Sequence, residues 1–129
     1  MSMRRNSRNS VADREDVIAW ARSLTEESLR CGTIVVVEGR RDVKALVQLG
    51  VRAIFTTVGD LEREIRLRGP DAVAGRHYVI LTDFDSEGNK LRRRLERELS
   101  EMGAVIIRWP AREYRKLRLP DRIEEAKIR

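Results

Sequence analysis

The sequence predicts a single α/β domain in which about four parallel strands form a doubly wound sheet flanked by helices. The run from 33 to 37 is β-branched and apolar on both faces, which is typical of a central strand in a parallel sheet. Strand-like runs alternate along the chain with amphipathic helical patterns, as they do in βαβ units. The length of 129 residues and the hydrophobic content of 41% suit one domain with one core.

Caps and breakers delimit the elements in order. The first helix begins near Ser10 and Asp13, which are two candidate caps, and its amphipathic pattern runs to about Arg30. Gly50 and Gly69 end the next two helical patterns. The predicted strands are 33–37, 51–57, 77–82 and 104–109. The later predicted helices are 42–49, 61–68, 89–100, 112–117 and 122–128, of which the last follows Asp121 as a cap.

The apolar pattern also predicts which aromatic and aliphatic side chains are buried. Trp20 and Trp109 are expected in the core rather than stacked on nucleic-acid bases. The buried stripe of the first helix is expected to contain Val17, Ile18, Ala21, Leu24 and Leu29. We divide the chain into a basic tail with a packing helix at 1–30, a core at 31–110, and a basic helical extension of the same domain at 111–129.

The charge balance favours an anionic partner. The net charge is +6, the pI is near 10.2, and only four of the 27 basic residues are lysine. The planar guanidinium group of arginine suits phosphate, although codon bias or a salt-bridged surface explains the same composition equally well. The opening segment, with Arg4, Arg5 and Arg8 and no acidic residue, is expected to be a frayed tail.

The rarest residue types set further limits. Cys31 is the single cysteine, so it cannot form an internal disulfide or a zinc cluster, and we expect a small packing residue in a reducing, cytoplasmic setting. His77 is the single histidine and is expected to be structural at the start of the third strand. No apolar run approaches the roughly 20 residues of a membrane helix, so a soluble protein without a membrane partner is expected.

Acidic residues follow two of the predicted strands. Glu38 comes after the first strand, and Asp83 and Asp85 come after the third. The carboxyl ends of parallel strands meet at one edge of the sheet, where open α/β folds bind ligands. Three close carboxylates repel one another unless a cation lies among them, and oxygen ligands suit Mg²⁺ or Mn²⁺. Helix capping alone would explain one of these carboxylates but not all three, so the pattern predicts a metal site.

Basic residues adjoin both acidic motifs. Arg40, Arg41 and Lys44 begin the helix after Glu38, and we expect them to bind phosphate with help from the helix dipole. A solvated helix face is the alternative for these three. A second basic set on the helix after Asp85 comprises Lys90, Arg93, Arg94 and Arg97, some of which neighbouring glutamates can pair. The basic C-terminal segment is expected to extend this anion-binding surface.

Two other folds that end a strand in aspartates fit less well. Haloacid-dehalogenase-type phosphatases carry an Asp-x-Asp motif, but it continues into Thr or Val where this chain has Glu87, and too few residues follow. A response-regulator receiver domain needs a lysine before its terminal proline, where this chain has Arg108, Trp109 and Pro110.

Glu38-Gly39 after one strand and Asp83-x-Asp85-x-x-Gly88 after another together resemble the Toprim domain, the metal-binding module of topoisomerases, primases and certain nucleases. The resemblance covers roughly 32–109. It implies that Glu38 is a general acid or base and that Asp83 and Asp85 bind Mg²⁺.

The same resemblance implies lesser roles for residues around the motifs. The turn of Thr57 and Gly59 fits the family order, and Asp42 and Glu87 would be peripheral to the site. Small stand-alone members look like the Toprim half of the ribonuclease that matures 5S ribosomal RNA.

The missing parts narrow the expected function. A topoisomerase needs a nucleophilic tyrosine on a gate domain, whereas Tyr78 is expected in the core and Tyr114 on the surface. A primase needs a zinc module and extra lobes, which one cysteine and 129 residues do not supply. We therefore expect Mg²⁺-dependent hydrolysis of phosphodiester bonds, in structured RNA more than in DNA. The alternative is a non-catalytic module that binds RNA or DNA as the subunit or scaffold of another processing enzyme.

Overall fold

A computed structural model describes residues 13–128, in which four strands form one parallel sheet. The order of strands across the sheet is β2-β1-β3-β4, and every pair is parallel. The strands are β1 (Ile34–Val37), β2 (Ile54–Thr57), β3 (His77–Ile80) and β4 (Val105–Ile106). The predicted parallel α/β architecture is confirmed.

Within residues 13–128, five helices precede, connect and follow the strands. They are α1 (Arg14–Cys31), α2 (Arg40–Gln48), α3 (Val58–Arg68), α4 (Ser86–Glu101) and α5 (Trp109–Lys116). Two 3₁₀ turns, Gly69–Ala72 and Ile123–Glu125, complete the regular structure. Among residues 13–128, no helix has the length and apolar character needed to cross a membrane. The predicted cap Ser10 and the arginines of the opening segment lie outside the described residues.

Helices cover both faces of the sheet because alternate strand residues point in opposite directions. Val35 and Val79 pack in one apolar cluster with residues of α1, α2 and α5. Val36 and Ile80 pack in a second cluster with residues of α3 and α4. The two clusters make β1 and β3 the buried centre of the sheet, and their carboxyl ends lie side by side.

The first helix begins at the predicted cap, but its buried stripe differs at Leu29. The side chain of Asp13 accepts a hydrogen bond from the Glu15 backbone N–H at 2.9 Å. Leu29 is 82% exposed, so its predicted burial is wrong. Ser28 takes the buried position instead, because its hydroxyl donates to the Thr33 carbonyl at 2.7 Å and accepts from the Ile54 N–H at 3.1 Å.

Two further side chains lie opposite to expectation. Cys31 is exposed at the end of α1 and is not a packing residue. Tyr114 is 1% exposed rather than a surface residue. Its ring stacks on Phe84 at a centroid distance of 4.8 Å, and its hydroxyl donates to the Pro120 carbonyl at 2.8 Å. Burial of this phenol raises its pKa.

The fourth strand is shorter than the predicted run 104–109. Only Val105–Ile106 pair with β3, and Trp109 and Pro110 begin α5. Pro110 does not end a strand, because a proline in the first turn of a helix loses no hydrogen bond. Trp20 is buried as predicted, and its indole N–H donates to the Pro110 carbonyl at 3.0 Å.

The segment 122–128 is not a helix. Only Ile123–Glu125 form a 3₁₀ turn, and Asp121 caps no helix. Long-range hydrogen bonds hold this segment: the Phe84 N–H donates to the Asp121 carbonyl at 2.7 Å. Ile123 and Ala126 are buried in the same core cluster as α1. Burial of these two residues and the bond to Phe84 outweigh the local helical pattern.

Candidate metal centre

The two acidic motifs meet at the carboxyl edge of the sheet. Val36 of β1 pairs with Ile80 of β3, and the Leu81 N–H donates to the Val36 carbonyl at 2.8 Å. Glu38 directly follows β1, and Asp83 follows the end of this paired segment. A carboxylate oxygen of Glu38, Oε2, accepts a hydrogen bond from the Asp83 backbone N–H at 2.8 Å. The side chain of one motif therefore contacts the backbone of the other.

The two aspartates are each oriented by one backbone N–H. Asp83 Oδ1 accepts from the Ile123 N–H at 2.9 Å, which brings the C-terminal segment to the site. Asp85 Oδ1 accepts from the Gly88 N–H at 2.8 Å and caps α4. Asp85 thus caps a helix, as the capping interpretation expects, whereas Asp83 binds the backbone of the C-terminal segment.

The donor chemistry of Glu38, Asp83 and Asp85 fits a hard divalent ion. Each carboxylate uses one oxygen for a backbone N–H, and its second oxygen makes no hydrogen bond within residues 13–128. Carboxylate oxygens are the ligands that Mg²⁺ and Mn²⁺ prefer. Within the described part of the chain, however, the three groups do not all bring an oxygen within 4.8 Å of one another. Binding by all three therefore requires side-chain rearrangement.

The electrostatics of Glu38 indicate an accumulation of negative charge. Partial burial raises the pKa of its carboxyl, and the charges of Asp83, Asp42 and Asp85 raise it further. The hydrogen bond from the Asp83 N–H opposes these effects. A cation among these groups would relieve the repulsion.

Asp42 supports the turn after Glu38 from a buried position. It is 6% exposed, and its Oδ2 accepts from the Gly39 N–H at 3.1 Å at the start of α2. Burial raises the pKa of the Asp42 carboxyl, and the charge of Asp83 adds to the rise. Asp42 is thus a helix-terminal acid that also contributes to the lining of the cleft formed by Glu38 and Asp83.

Gly88 is required by close packing against the acidic loop. A Cβ atom at this position would lie 2.0 Å from the Asp83 carbonyl oxygen, a distance that no real contact permits. By contrast, a Cβ atom at Gly39 or Gly59 meets nothing within 4 Å. Gly88 therefore lets α4 approach the loop that carries Asp83 and Asp85. At Gly39, by contrast, there is open space beside Glu38.

Arg92 is a site-supporting residue that the sequence reasoning missed. Its guanidinium donates to the carbonyls of Thr82 and Asp83 at 3.0 and 3.3 Å and to the Thr82 hydroxyl at 3.0 Å. It also contacts Asn89 and lies 4.2 Å from the Phe84 ring centroid. Burial lowers the pKa of this guanidinium. Its spacing gives a signal, because Gly88, Arg92, Leu95 and Leu99 recur at intervals of three or four on one helix face.

The first basic group lines the mouth of the site. Arg40 and Arg41 surround a shallow cleft of about 280 Å³ together with Glu38 and Asp83. Arg41 and Lys44 line a neighbouring cleft of about 370 Å³. Neither arginine nor Lys44 forms an ion pair with another residue of the described chain. Two residues not predicted here, Arg122 and Glu124, also line the first cleft and pair at 3.2 Å.

Within the second basic group, a neighbouring glutamate pairs with one member, as the sequence indicated. Lys90 and Arg93 are exposed on α4 and have no ion pair within residues 13–128. Arg94 is half-buried and pairs with Glu98 at 3.1 Å and with Glu62 at 3.4 Å. The remaining predicted positions are exposed: Arg97 and Glu87 on α4, and Gly59 near the start of α3.

Comparisons with known proteins agree with this architecture. A family model described as a Toprim domain matches residues 32–108. A UPF0292 protein of Methanocaldococcus jannaschii is 34% identical over 74 residues, which are 56% of this chain. The chain spans 56% of the length of that relative. A solved structure of an Aquifex aeolicus protein is similar with a TM-score of 0.63 and 20% identity, covering 83% of this chain and 94% of that one. This last likeness concerns the fold alone.

Proposed function

This chain belongs to the Toprim-domain family, and from that premise we propose that it hydrolyses phosphodiester bonds in structured RNA with the aid of Mg²⁺. Toprim domains bind divalent metals, commonly Mg²⁺, and have functions related to nucleic acids. The step from this general role to hydrolysis is our proposal.

The observation that carries the proposal is the junction of the two acidic motifs. Glu38 accepts the Asp83 N–H at 2.8 Å, and each of Glu38, Asp83 and Asp85 keeps one oxygen without a hydrogen bond within residues 13–128. Such a set of oxygens would hold Mg²⁺ or Mn²⁺, which polarises a phosphoryl group and helps to activate water when bound.

Glu38 is our candidate for the proton-transfer step. Its carboxyl lies at the mouth of the cleft, and its pKa is raised by partial burial and by neighbouring carboxylates. A raised pKa brings a carboxyl closer to the range in which a general acid or base is most effective. We assign to Glu38 the movement of a proton at the attacking water or at the leaving oxygen.

The basic residues beside the cleft would hold the substrate backbone. Arg40 and Arg41 lie at its rim and Lys44 lies one turn further along α2, where their charges can meet phosphate oxygens. Lys90 and Arg93 would extend this contact. Arg94 contributes less in this proposal, because Glu62 and Glu98 already pair with it.

Arg92 and Gly88 would act by positioning rather than by contact with substrate. The Arg92 guanidinium fixes the Thr82 and Asp83 carbonyls, and Gly88 allows α4 to pack against the Asp83 carbonyl. Together they hold the backbone that carries Asp83 and Asp85. A loop held in this way loses little entropy when it binds an ion.

The preference for structured RNA follows the resemblance to the Toprim half of the ribonuclease that matures 5S ribosomal RNA. The burial of four aromatic side chains is consistent with recognition of the RNA phosphate backbone rather than of the bases. Trp20, Tyr78, Phe84 and Tyr114 are buried, so these rings offer no platforms on which single-stranded bases could stack. Arginine-rich surfaces bind the phosphate backbone instead.

A non-catalytic module is the second candidate. It is favoured by the separation of the three carboxylates, which do not share a 4.8 Å cluster within the described chain. In that case a partner protein or the nucleic acid itself would complete the site.

The deciding experiment incubates the protein with structured RNAs, and with DNAs of the same sequences, in Mg²⁺, in Mn²⁺ or in EDTA. The double variant Asp83→Asn, Asp85→Asn, purified identically, controls for contaminating nucleases. We expect metal-dependent cleavage of RNA by the wild type only. Cleavage of DNA in preference to RNA would overturn the RNA assignment, and a lack of metal-dependent cleavage on every substrate would favour the module.

A further inference from the structure

A second group of ligand side chains lies at the opposite, amino edge of the sheet. Glu27 and Cys31 are one turn apart in the last turns of α1, and His77 is the first residue of β3. Residues spaced by four lie on the same face of a helix. One carboxylate oxygen, the thiol sulfur and one imidazole nitrogen all lie within 4.8 Å of one another.

The single cysteine and the single histidine of the chain lie in this one group. The 129 residues contain one cysteine and one histidine, and the fold brings these two together although they are far apart in sequence. A single cysteine excludes a zinc cluster built from several thiolates, but it does not exclude a site with mixed ligands. A site with one sulfur, one nitrogen and one oxygen ligand needs only one cysteine.

Neighbouring contacts prepare two of the three ligands. The Thr33 hydroxyl donates to Glu27 Oε2 at 3.0 Å, so one carboxylate oxygen is held and the other has no hydrogen bond within residues 13–128. The Nδ1 atom of His77 is buried and lacks a hydrogen-bond partner among the described residues. A buried polar atom without a partner is costly, and coordination through Nδ1 would supply the partner.

We propose that Glu27, Cys31 and His77 bind one zinc-class divalent ion, with water in the remaining position. Thiolate and imidazole ligands select zinc over Mg²⁺, and three protein ligands plus water form a common zinc geometry. Ligand atoms around tetrahedral zinc lie roughly 3.5 Å apart, so the three side chains need to close only slightly. This site shares no residue with the candidate metal centre of Glu38, Asp83 and Asp85, which we call the carboxylate edge.

The ion would join the C-terminal end of α1 to the start of β3. Without it, Thr33 supplies the one hydrogen bond that Glu27 makes to another part of the described chain. Because metal that binds only the folded chain stabilises that chain by mass action, zinc should raise the unfolding temperature. Binding of this ion would not depend on the proposed hydrolysis.

Cobalt titration under reducing conditions tests the site directly, because Co²⁺ replaces zinc and its bond to a thiolate gives a near-ultraviolet charge-transfer band. We expect the band to saturate at one ion per chain and to disappear when zinc is added. The loss of an outer-shell partner typically weakens metal binding by about 10-fold to 100-fold, so the loss of a ligand should cost at least about 100-fold. Cys31→Ser should abolish the band, and Glu27→Gln and His77→Gln should each weaken cobalt binding by that factor.

Two controls separate this site from the carboxylate edge and from nonspecific binding. Glu26→Gln removes an exposed carboxylate from the same helix and should bind cobalt like the wild type. The double variant Asp83→Asn, Asp85→Asn should also keep the band. A wild type without the band, a Cys31→Ser variant with unchanged affinity, or saturation at one ion per two chains would each overturn the proposal.

Discussion

The carboxylate of Glu38 accepts a hydrogen bond from the backbone N–H of Asp83 at 2.8 Å, across the carboxyl ends of two neighbouring parallel strands. This contact joins two motifs that are far apart in the chain. It places an ionisable side chain beside the loop that carries the other acidic residues.

The close approach of α4 predicts a large penalty for Gly88→Ala. The new methyl group would meet the Asp83 carbonyl oxygen at 2.0 Å, so either α4 or the acidic loop must move. We expect a loss of at least about 2 kcal/mol in the free energy of unfolding, measured by urea titration. Gly59→Ala is the matched control, because open space surrounds that position in α3 and alanine favours helix. A similar stability for both variants would contradict the packing argument.

The hydrogen bonds of Arg92 predict a specific role in holding the loop. Arg92→Ala leaves the Thr82 and Asp83 carbonyls without their guanidinium partner and should cost about 1–3 kcal/mol. Its exposed neighbour Arg93 has no ion pair in the described chain, so Arg93→Ala should change stability by less than about 0.5 kcal/mol. Calorimetric titration with Mn²⁺ should also show weaker binding by the Arg92 variant alone. Equal Mn²⁺ affinity in both variants would mean that Arg92 does not position the ligands.

The raised pKa of Glu38 predicts that this carboxylate destabilises the metal-free protein at neutral pH. The folded state binds more protons than the unfolded state between the ordinary value of 4.5 and the raised pKa, so stability falls as pH rises through that window. In EDTA at pH 7, Glu38→Gln should therefore be more stable than the wild type. Solvent screening limits the gain to about 1 kcal/mol.

Thermal melts at several pH values check this expectation. The advantage of Glu38→Gln should shrink below about pH 4.5, where the wild-type carboxyl is protonated in both states. Saturating Mg²⁺ should remove the advantage at pH 7, because an ion bound only by the folded wild type stabilises it. The exposed Glu87→Gln serves as the control. A pH-independent difference would point to packing rather than charge.

The basic rim predicts binding that depends steeply on salt. Replacing Arg40, Arg41 and Lys44 with alanine should flatten the slope of log K against log salt by about one unit for each lost phosphate contact. A control with the same charge change replaces three exposed arginines that do not line the cleft, Arg22, Arg30 and Arg66. Filter binding to one structured RNA at several salt concentrations measures both. Equal slopes for the two triple variants would assign the effect to net charge alone.

The strand pattern predicted the sheet and the edge that carries the acidic residues. The β-branched run of β1 and the apolar run of β3 are typical of buried parallel strands. Residues that directly follow such strands lie at the same edge of the sheet. The starts of α2 to α5 were predicted two or three residues late, for example at 89 instead of Ser86. The first turns of α2 and α4 carry motif residues rather than apolar ones, so their periodic signal begins after them.

Other features depend on contacts that a local pattern does not contain. Arg92 fits the buried face of α4, but only the nearby Thr82 and Asp83 carbonyls explain a charged residue there. The turn at Ile123 forms because its N–H donates to Asp83, a partner 40 positions away. The approach of Cys31 to His77 likewise requires the sheet to be assembled.

The most direct test of the proposed function compares Glu38→Gln with the wild type on the best RNA substrate in Mg²⁺. Glutamine keeps the size of the side chain and an oxygen that can accept the Asp83 N–H, but it removes the charge and the proton. Our account predicts RNA binding close to that of the wild type and single-turnover cleavage slower by about 10²-fold to 10⁴-fold. Cleavage by Glu38→Gln at the wild-type rate would contradict the central claim, because the proton would then move through another group.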